Sequence, residues 1–92
     1  LIRVCCSAGF AIEFLPKAMA QFREQHPGMQ FHLRVAAPAA VTQAVLNTEA
    51  DIGLTYSRTA ERDIELQTLA GRTLPEGVRA FIAHLRQQLP PT

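Results

Sequence analysis

The 92 residues include no tryptophan and one tyrosine, and the two cysteines and three histidines are so placed that each of these two scarcities removes a class of function. Cys5 and Cys6 are adjacent and fall on opposite faces of any strand that holds them. That geometry is poorly suited to joining the two, so a disulfide framework is excluded. His26, His32 and His84 sit far apart, with no cysteine or carboxylate at ligand spacing. They are read as surface residues, and neither a metal site nor a cofactor is expected. Charge is sparse and balanced: nine Lys and Arg against eight Asp and Glu give a net +1. The basic residues are scattered, so the electrostatic footprint of a nucleic-acid binder is missing. No apolar run approaches the roughly 18 residues that cross a bilayer, and residues 1–6 are too short for a signal-peptide core. The expected compartment is the cytoplasm. No repeat or low-complexity stretch is present, and the absence of an initiator Met leads us to expect a piece of a larger chain.

What remains is a sequence rich in core-forming residues, 48% hydrophobic and 18% charged, enough for one small domain and too little for two. Residues 1–7 are apolar and β-branched apart from Arg3, and read as a buried strand entering a tight turn at Ala8-Gly9. Ala11, Phe14, Leu15, Ala18, Met19 and Phe22 then recur at helical spacing, a stripe that faces a core. His26-Pro27-Gly28 stops this helix, and Pro16 within it predicts a kink or a ragged first turn. Residues 30–35 alternate, with Phe31, Leu33 and Val35 on one face and Gln30, His32 and Arg34 on the other, as in a strand with one wet side.

Pro38 opens a second helix, whose narrow inner face is Val41, Ala44, Val45 and Thr48 and which fades near Asn47. Asp51 precedes a third strand, Ile52-Gly53-Leu54-Thr55-Tyr56. Residues 57–63 form a polar loop, and residues 64–69 suit one more short strand. Thr73-Leu74-Pro75-Glu76 matches a capping box with Thr73 as N-cap and Glu76 at the third helical position. Val78, Phe81, Ile82, Leu85 and Leu89 complete an amphipathic helix stopped by Pro90-Pro91. Strands alternating with helices imply right-handed βαβ crossovers. The fold class is therefore α/β, a small parallel-sheet βαβαβ lobe with a C-terminal helix packed on the sheet.

Five pieces occur in a recognisable order: Leu15-Pro16; Phe22-Arg23 with His26-Pro27; Asp51-Ile52; Gly71-Arg72-Thr73-Leu74-Pro75; and Val78-Arg79-Ala80-Phe81-Ile82. In this order the chain resembles the effector-binding domain of LysR-type transcriptional regulators, a domain similar to type 2 periplasmic binding proteins. The resemblance implies two α/β lobes with a ligand held between them, of which residues 1–92 supply the first lobe and the closing helix. It breaks after Leu69-Ala70: the family continues into a second lobe, whereas here Ala70-Gly71 runs straight into the closing helix. A deletion junction is expected near residues 70–71. The family's winged helix-turn-helix and linker helix are not written in these residues, so the chain is not expected to bind an operator.

In an open parallel sheet, ligands sit beyond the carboxyl ends of the strands, where helix N-termini favour anions. Three segments meet there: Ser7-Ala8-Gly9-Phe10, Ala36-Ala37-Pro38 and Thr55-Tyr56-Ser57. The resemblance implies an effector contact at Ser7 and a further hydroxyl at the second turn, where this sequence has Ala37 and so lacks one polar anchor. Ser7 is otherwise a helix N-cap, Thr55 a hydroxyl that satisfies nearby backbone, and Phe10 either faces the cleft or packs beneath the first helix. The candidate effector residues are Ser7, Ala8, Gly9, Phe10, Ala37, Pro38, Thr55 and Tyr56.

The resemblance also implies that the first helix and second strand pack on a partner subunit. The candidate interface is Ala20, Gln21, Arg23 and Glu24 with Gln30, His32 and Arg34, a set that otherwise reads as a solvated face. The leading function is a ligand-sensing lobe that takes a small, anionic effector, with no enzymatic activity and with self-association through apolar surface left by the missing lobe. The alternatives are a solute-binding-protein lobe or an inert truncated fragment. A thiol enzyme built on Cys5 or Cys6 would need a base that the sequence does not place.

Overall fold

The computed structural model describes residues 1–56, 64–71 and 73–88, with the side chains of Phe10, Ala11, Ile12, Tyr56, Ile64 and Glu65 left out. The expected loop at 57–63, which includes Ser57 of the third turn, the stop at Pro90-Pro91 and the side-chain roles of Phe10, Ala11, Tyr56 and Leu89 lie outside the described residues. The order of elements is β1 (Ile2–Cys6), α1 (Ala8–Glu13), α2 (Leu15–Gln25), β2 (Phe31–Val35), α3 (Pro38–Leu46), β3 (Ile52–Tyr56), β4 (Ile64–Gln67) and α4 (Glu76–Gln88). They build one sheet in the order β2-β1-β3-β4. β1 runs parallel to both β2 and β3, with Cys6 level with Val35 on one side and Leu54 on the other. β4 is antiparallel to β3.

Alternation along β1 divides the core between the two faces of the sheet. Ile2, Val4 and Cys6 join Ile52 and Leu54 beneath Leu15, Ala18 and Phe22 of α2 and Val78, Phe81, Ile82 and Leu85 of α4. On the other face, Cys5 packs with Val41, Ala44 and Val45 of α3 and with Ala50. The α3 layer lies close to the sheet because Gly53 has no side chain: a Cβ there would stand 2.8 Å from Val45 Cγ2 and 3.0 Å from Val41 Cγ1. Phe81 is the aromatic centre of the larger cluster, with ring centroids 5.1 Å from Phe22 and 4.8 Å from Phe31 in edge-on contacts, the geometry that aromatic quadrupoles favour.

Several local expectations need correction. Ala8-Gly9 is the first turn of α1 rather than a tight turn, so Ser7 alone makes the change from strand to helix. The kink expected from Pro16 is a full break at Phe14, so that Pro16 stands in the first turn of α2, where its missing N–H costs nothing. Thr48 is exposed and has φ +57, so it lies beyond α3 and not on its inner face. Its N–H donates to Val45 O at 3.1 Å and that of Glu49 to Ala44 O at 2.8 Å, which is the Schellman pattern. α4 starts at Glu76, so Thr73 is not its N-cap. A residue that precedes proline is pushed out of the helical region, and Leu74 precedes Pro75; Arg79 N–H accordingly donates to Pro75 O at 3.1 Å. Finally, Val35 is 52% exposed: it ends the edge strand β2, and unlike Phe31 and Leu33 it does not pack against the larger cluster.

Candidate functional site

The parallel ladders bring the three expected turns to one end of the sheet. Ser7 N–H donates to Leu54 O at 3.2 Å and Ala36 N–H to Cys6 O at 3.0 Å, so Ser7 leaves the sheet between Ala36 and Thr55. Ser7 is half-buried, yet its Oγ is buried and has no hydrogen-bond partner. The N-cap role expected for this hydroxyl is therefore not the one it plays. Ala8 is exposed and Gly9 half-buried in the first turn of α1, and Ala37 and Pro38 are exposed at the start of α3. Ala37 is the N-cap of α3, in extended conformation (φ −64, ψ 153) with no side-chain capping bond. An alanine there leaves the first N–H groups of the helix without a side-chain acceptor.

Thr55 is buried, and its partner is a side chain rather than the backbone. Gln67 Nε2 donates to Thr55 Oγ1 at 3.3 Å, and Thr42 Oγ1 donates to Gln67 Oε1 at 3.0 Å. A chain of three polar side chains thus crosses from α3 through β4 to β3, ending one residue after the Leu54 carbonyl that accepts from Ser7 N–H. Gln67 and Thr42 were not singled out in the sequence. The signal available was the polar position after Leu66 in an alternating run, but only the antiparallel register, Gly53 opposite Gln67, brings the amide beside Thr55.

Both cysteines are fully buried, one on each face of the sheet. Burial pushes the Cys5 thiol up, against the opposing pull of Arg34, with Glu49 adding to the rise. Burial, reinforced by Cys5, pushes Cys6 up to about 11. A thiol held protonated in this way is a poor nucleophile. The histidines are less superficial than expected. His26 is half-buried and stacks on Phe22 with centroids 4.1 Å apart, and the half-buried His84 places Nε2 3.1 Å from Ala18 O. His32 alone is exposed.

Of the candidate interface residues, Gln21 is half-buried, while Ala20, Arg23, Glu24, Gln30, His32 and Arg34 are exposed. They do not form one face. Arg23 of α2 lies over the Phe31 ring, 5.2 Å from its centroid, on one side of the β2 edge. His32 and Arg34 point to the other side, in register with Arg3 and Cys5.

The comparisons agree with this geometry. The family model described as the LysR substrate binding domain matches residues 1–71. Among solved structures, the chain is similar to the C-terminal domain of a probable LysR family transcriptional regulator from Rhodococcus sp. RHA1, at 20% identity and a TM-score of 0.57. That match covers 61% of this chain and 27% of the other, so the chain spans about a quarter of its relative. No curated protein matches. With a family match over most of its length and a mostly parallel α/β sheet, this chain belongs to the LysR substrate-binding domain family.

Proposed function

We propose that the chain is the first lobe of a LysR-type sensor, whose parent protein holds a small effector beyond the carboxyl ends of β1, β2 and β3. The observation that carries this reading is Ser7 Oγ: it is buried and unpartnered, and an unmade hydrogen bond at a buried hydroxyl costs about 1–3 kcal/mol. A ligand acceptor or donor arriving from a second lobe would remove that cost. Ala8, Gly9, Phe10, Ala37, Pro38, Thr55 and Tyr56 would surround it, and the uncapped first turn of α3 favours an anionic group on the ligand.

The mechanism is a population shift: effector that binds better to closed lobes than to open ones draws the parent toward the closed state. Operator binding belongs to the parent protein rather than to this lobe, in the cytoplasm, and no chemistry is performed on the ligand. The second lobe would enter near residues 70–71, close to where the family match ends. The residues flanking the β2 edge, among them Arg23, Glu24, His32 and Arg34, would meet a partner subunit in the parent, whereas in this lobe alone they stay solvated and the apolar surface left by the missing lobe favours self-association. A solute-binding role shares the architecture but has no observation of its own in its favour.

The test is a titration with small organic acids, following amide shifts around Ser7 and Thr55. Around these two residues the lobe alone is expected to show no saturable shift at millimolar ligand, since half a cleft encloses too little of a ligand's surface. A protein carrying a LysR-type second lobe between Ala70 and Gly71 is expected to show one. Its absence across a panel of such acids would overturn the reading.

A further inference from the structure

Away from the strand ends, α3 packs over β3 and β1 and leaves the β2 side of the same sheet face open. The opening is a groove of about 340 Å³ lined by Arg3, Cys5, His32, Arg34, Glu49 and Ala50. The parallel register sets Arg3 level with His32 and Cys5 level with Arg34, so three basic side chains share one face of two neighbouring strands. Their anionic neighbours are held very differently. Asp51 is buried and fully engaged with Arg3, accepting from its backbone N–H at 2.9 Å and from Nη2 at 3.1 Å. Glu49 stands 3.6 Å from Arg34 Nη1, beyond hydrogen-bonding distance, and the two side chains are 55% and 53% exposed. An exposed pair of this kind contributes little, and the planar fork of the guanidinium suits an oxyanion that can take two N–H donors at once.

From this contrast we infer that the groove is an oxyanion site, for a phosphate or carboxylate group, in which Arg34 is the principal donor and Glu49 a tethered competitor. Glu49 is built for that part. Its backbone is fixed by the bond from its N–H to Ala44 O at 2.8 Å, so rotation of the side chain alone opens or closes the site. Arg3, neutralised by Asp51, forms the inner wall. His32, at the rim, offers a further ring N–H donor. The site lies on the middle of β1 and β2 and uses none of the residues at the carboxyl ends, so it is independent of the effector cleft.

Inorganic phosphate and malonate, titrated separately into the isotopically labelled chain, distinguish the phosphoryl from the carboxyl source. The expected result is a saturable shift of the Arg34 side-chain Nε–H and of the Glu49 and Ala50 amides at millimolar anion, with Ser7 and Thr55 unmoved. Glu49→Gln, which removes the competitor, is expected to tighten binding about fivefold, and Arg34→Gln to abolish it. Both positions are exposed, so the variants are expected to keep the wild-type amide spectrum elsewhere. Shifts that grow without saturating, as a bulk salt effect does, or that persist in Arg34→Gln, would overturn the proposal. So would Glu49→Gln binding no more tightly than wild type.

Discussion

Asp51 engages Arg3 through both backbone and side chain. Its carboxylate accepts from Arg3 N–H at 2.9 Å and from Nη2 at 3.1 Å, while Asp51 N–H donates to Arg3 O at 2.8 Å. The pair sits where β3 begins to run beside β1 and sets their register, Val4 beside Ile52. Removing the carboxylate leaves a partly buried N–H and a guanidinium without their partner. Asp51→Ala is therefore expected to destabilise the lobe by about 3 kcal/mol. Arg3→Gln, which keeps the backbone bonds, is expected to cost less. Urea unfolding followed by circular dichroism measures both, and equal losses would contradict the backbone role.

Gly53 is the point where β3 and α3 approach most closely. A methyl group added there meets Val45 Cγ2 at 2.8 Å, and a β-branched side chain against a helix has few rotamers with which to retreat. Gly53→Ala is expected to destabilise by about 1–3 kcal/mol. Adding Val45→Ala should recover part of that loss, a coupling that a double-mutant cycle would detect.

Thr48 presents the opposite case. Its φ of +57 places a β-branched residue in the left-handed region at the end of α3, where glycine is the usual occupant. Thr48→Gly is expected to raise stability by about 1 kcal/mol, since relief of that strain outweighs the added freedom of the unfolded chain and the loss of the exposed bond from Thr48 Oγ1 to Asn47 O. A lower thermal midpoint would show that the turn is not strained.

Cys6 gives the lobe an alkaline limit. Its thiol is neutral when protonated, and burial raises it from its ordinary value of 9.0 to about 11 in the folded protein. Below pH 9.0 both states hold the proton and the contribution is complete. Above it the unfolded chain releases the proton first, so stability falls as pH rises toward 11. Cys6→Ala is expected to be less stable at neutral pH, through lost packing, but to fall less steeply across this window. Equal slopes for the two proteins would contradict the burial of Cys6 as its cause.

The elements that could be read from sequence were those whose periodicity matches their burial. Leu15, Ala18 and Phe22 fall on a helical stripe and are buried, and Val41, Ala44 and Val45 do the same in α3. The misses came where a local rule competed with a stronger one. Thr73 and Glu76 have capping-box spacing, but Pro75 displaces the helix start; Thr48 continues the α3 stripe, but the chain has already turned. Of the candidate site, the convergence of Ser7, Ala36 and Thr55 followed from parallel topology, whereas Thr42 and Gln67 depended on the pairing of β4. The link between Arg3 and Asp51 was foreshadowed only by one charge at the edge of each of two apolar runs.

The most direct test of the sensor reading is effector affinity, measured by calorimetry, in a protein that carries a LysR-type second lobe at the 70–71 junction, with and without Ser7→Ala. The account predicts binding of a small organic acid that Ser7→Ala weakens about tenfold, the cost of one hydrogen bond to a charged group, while Cys5→Ala leaves it unchanged. An affinity indifferent to Ser7→Ala would contradict it, because the buried hydroxyl at the end of β1 would then have no partner in either state.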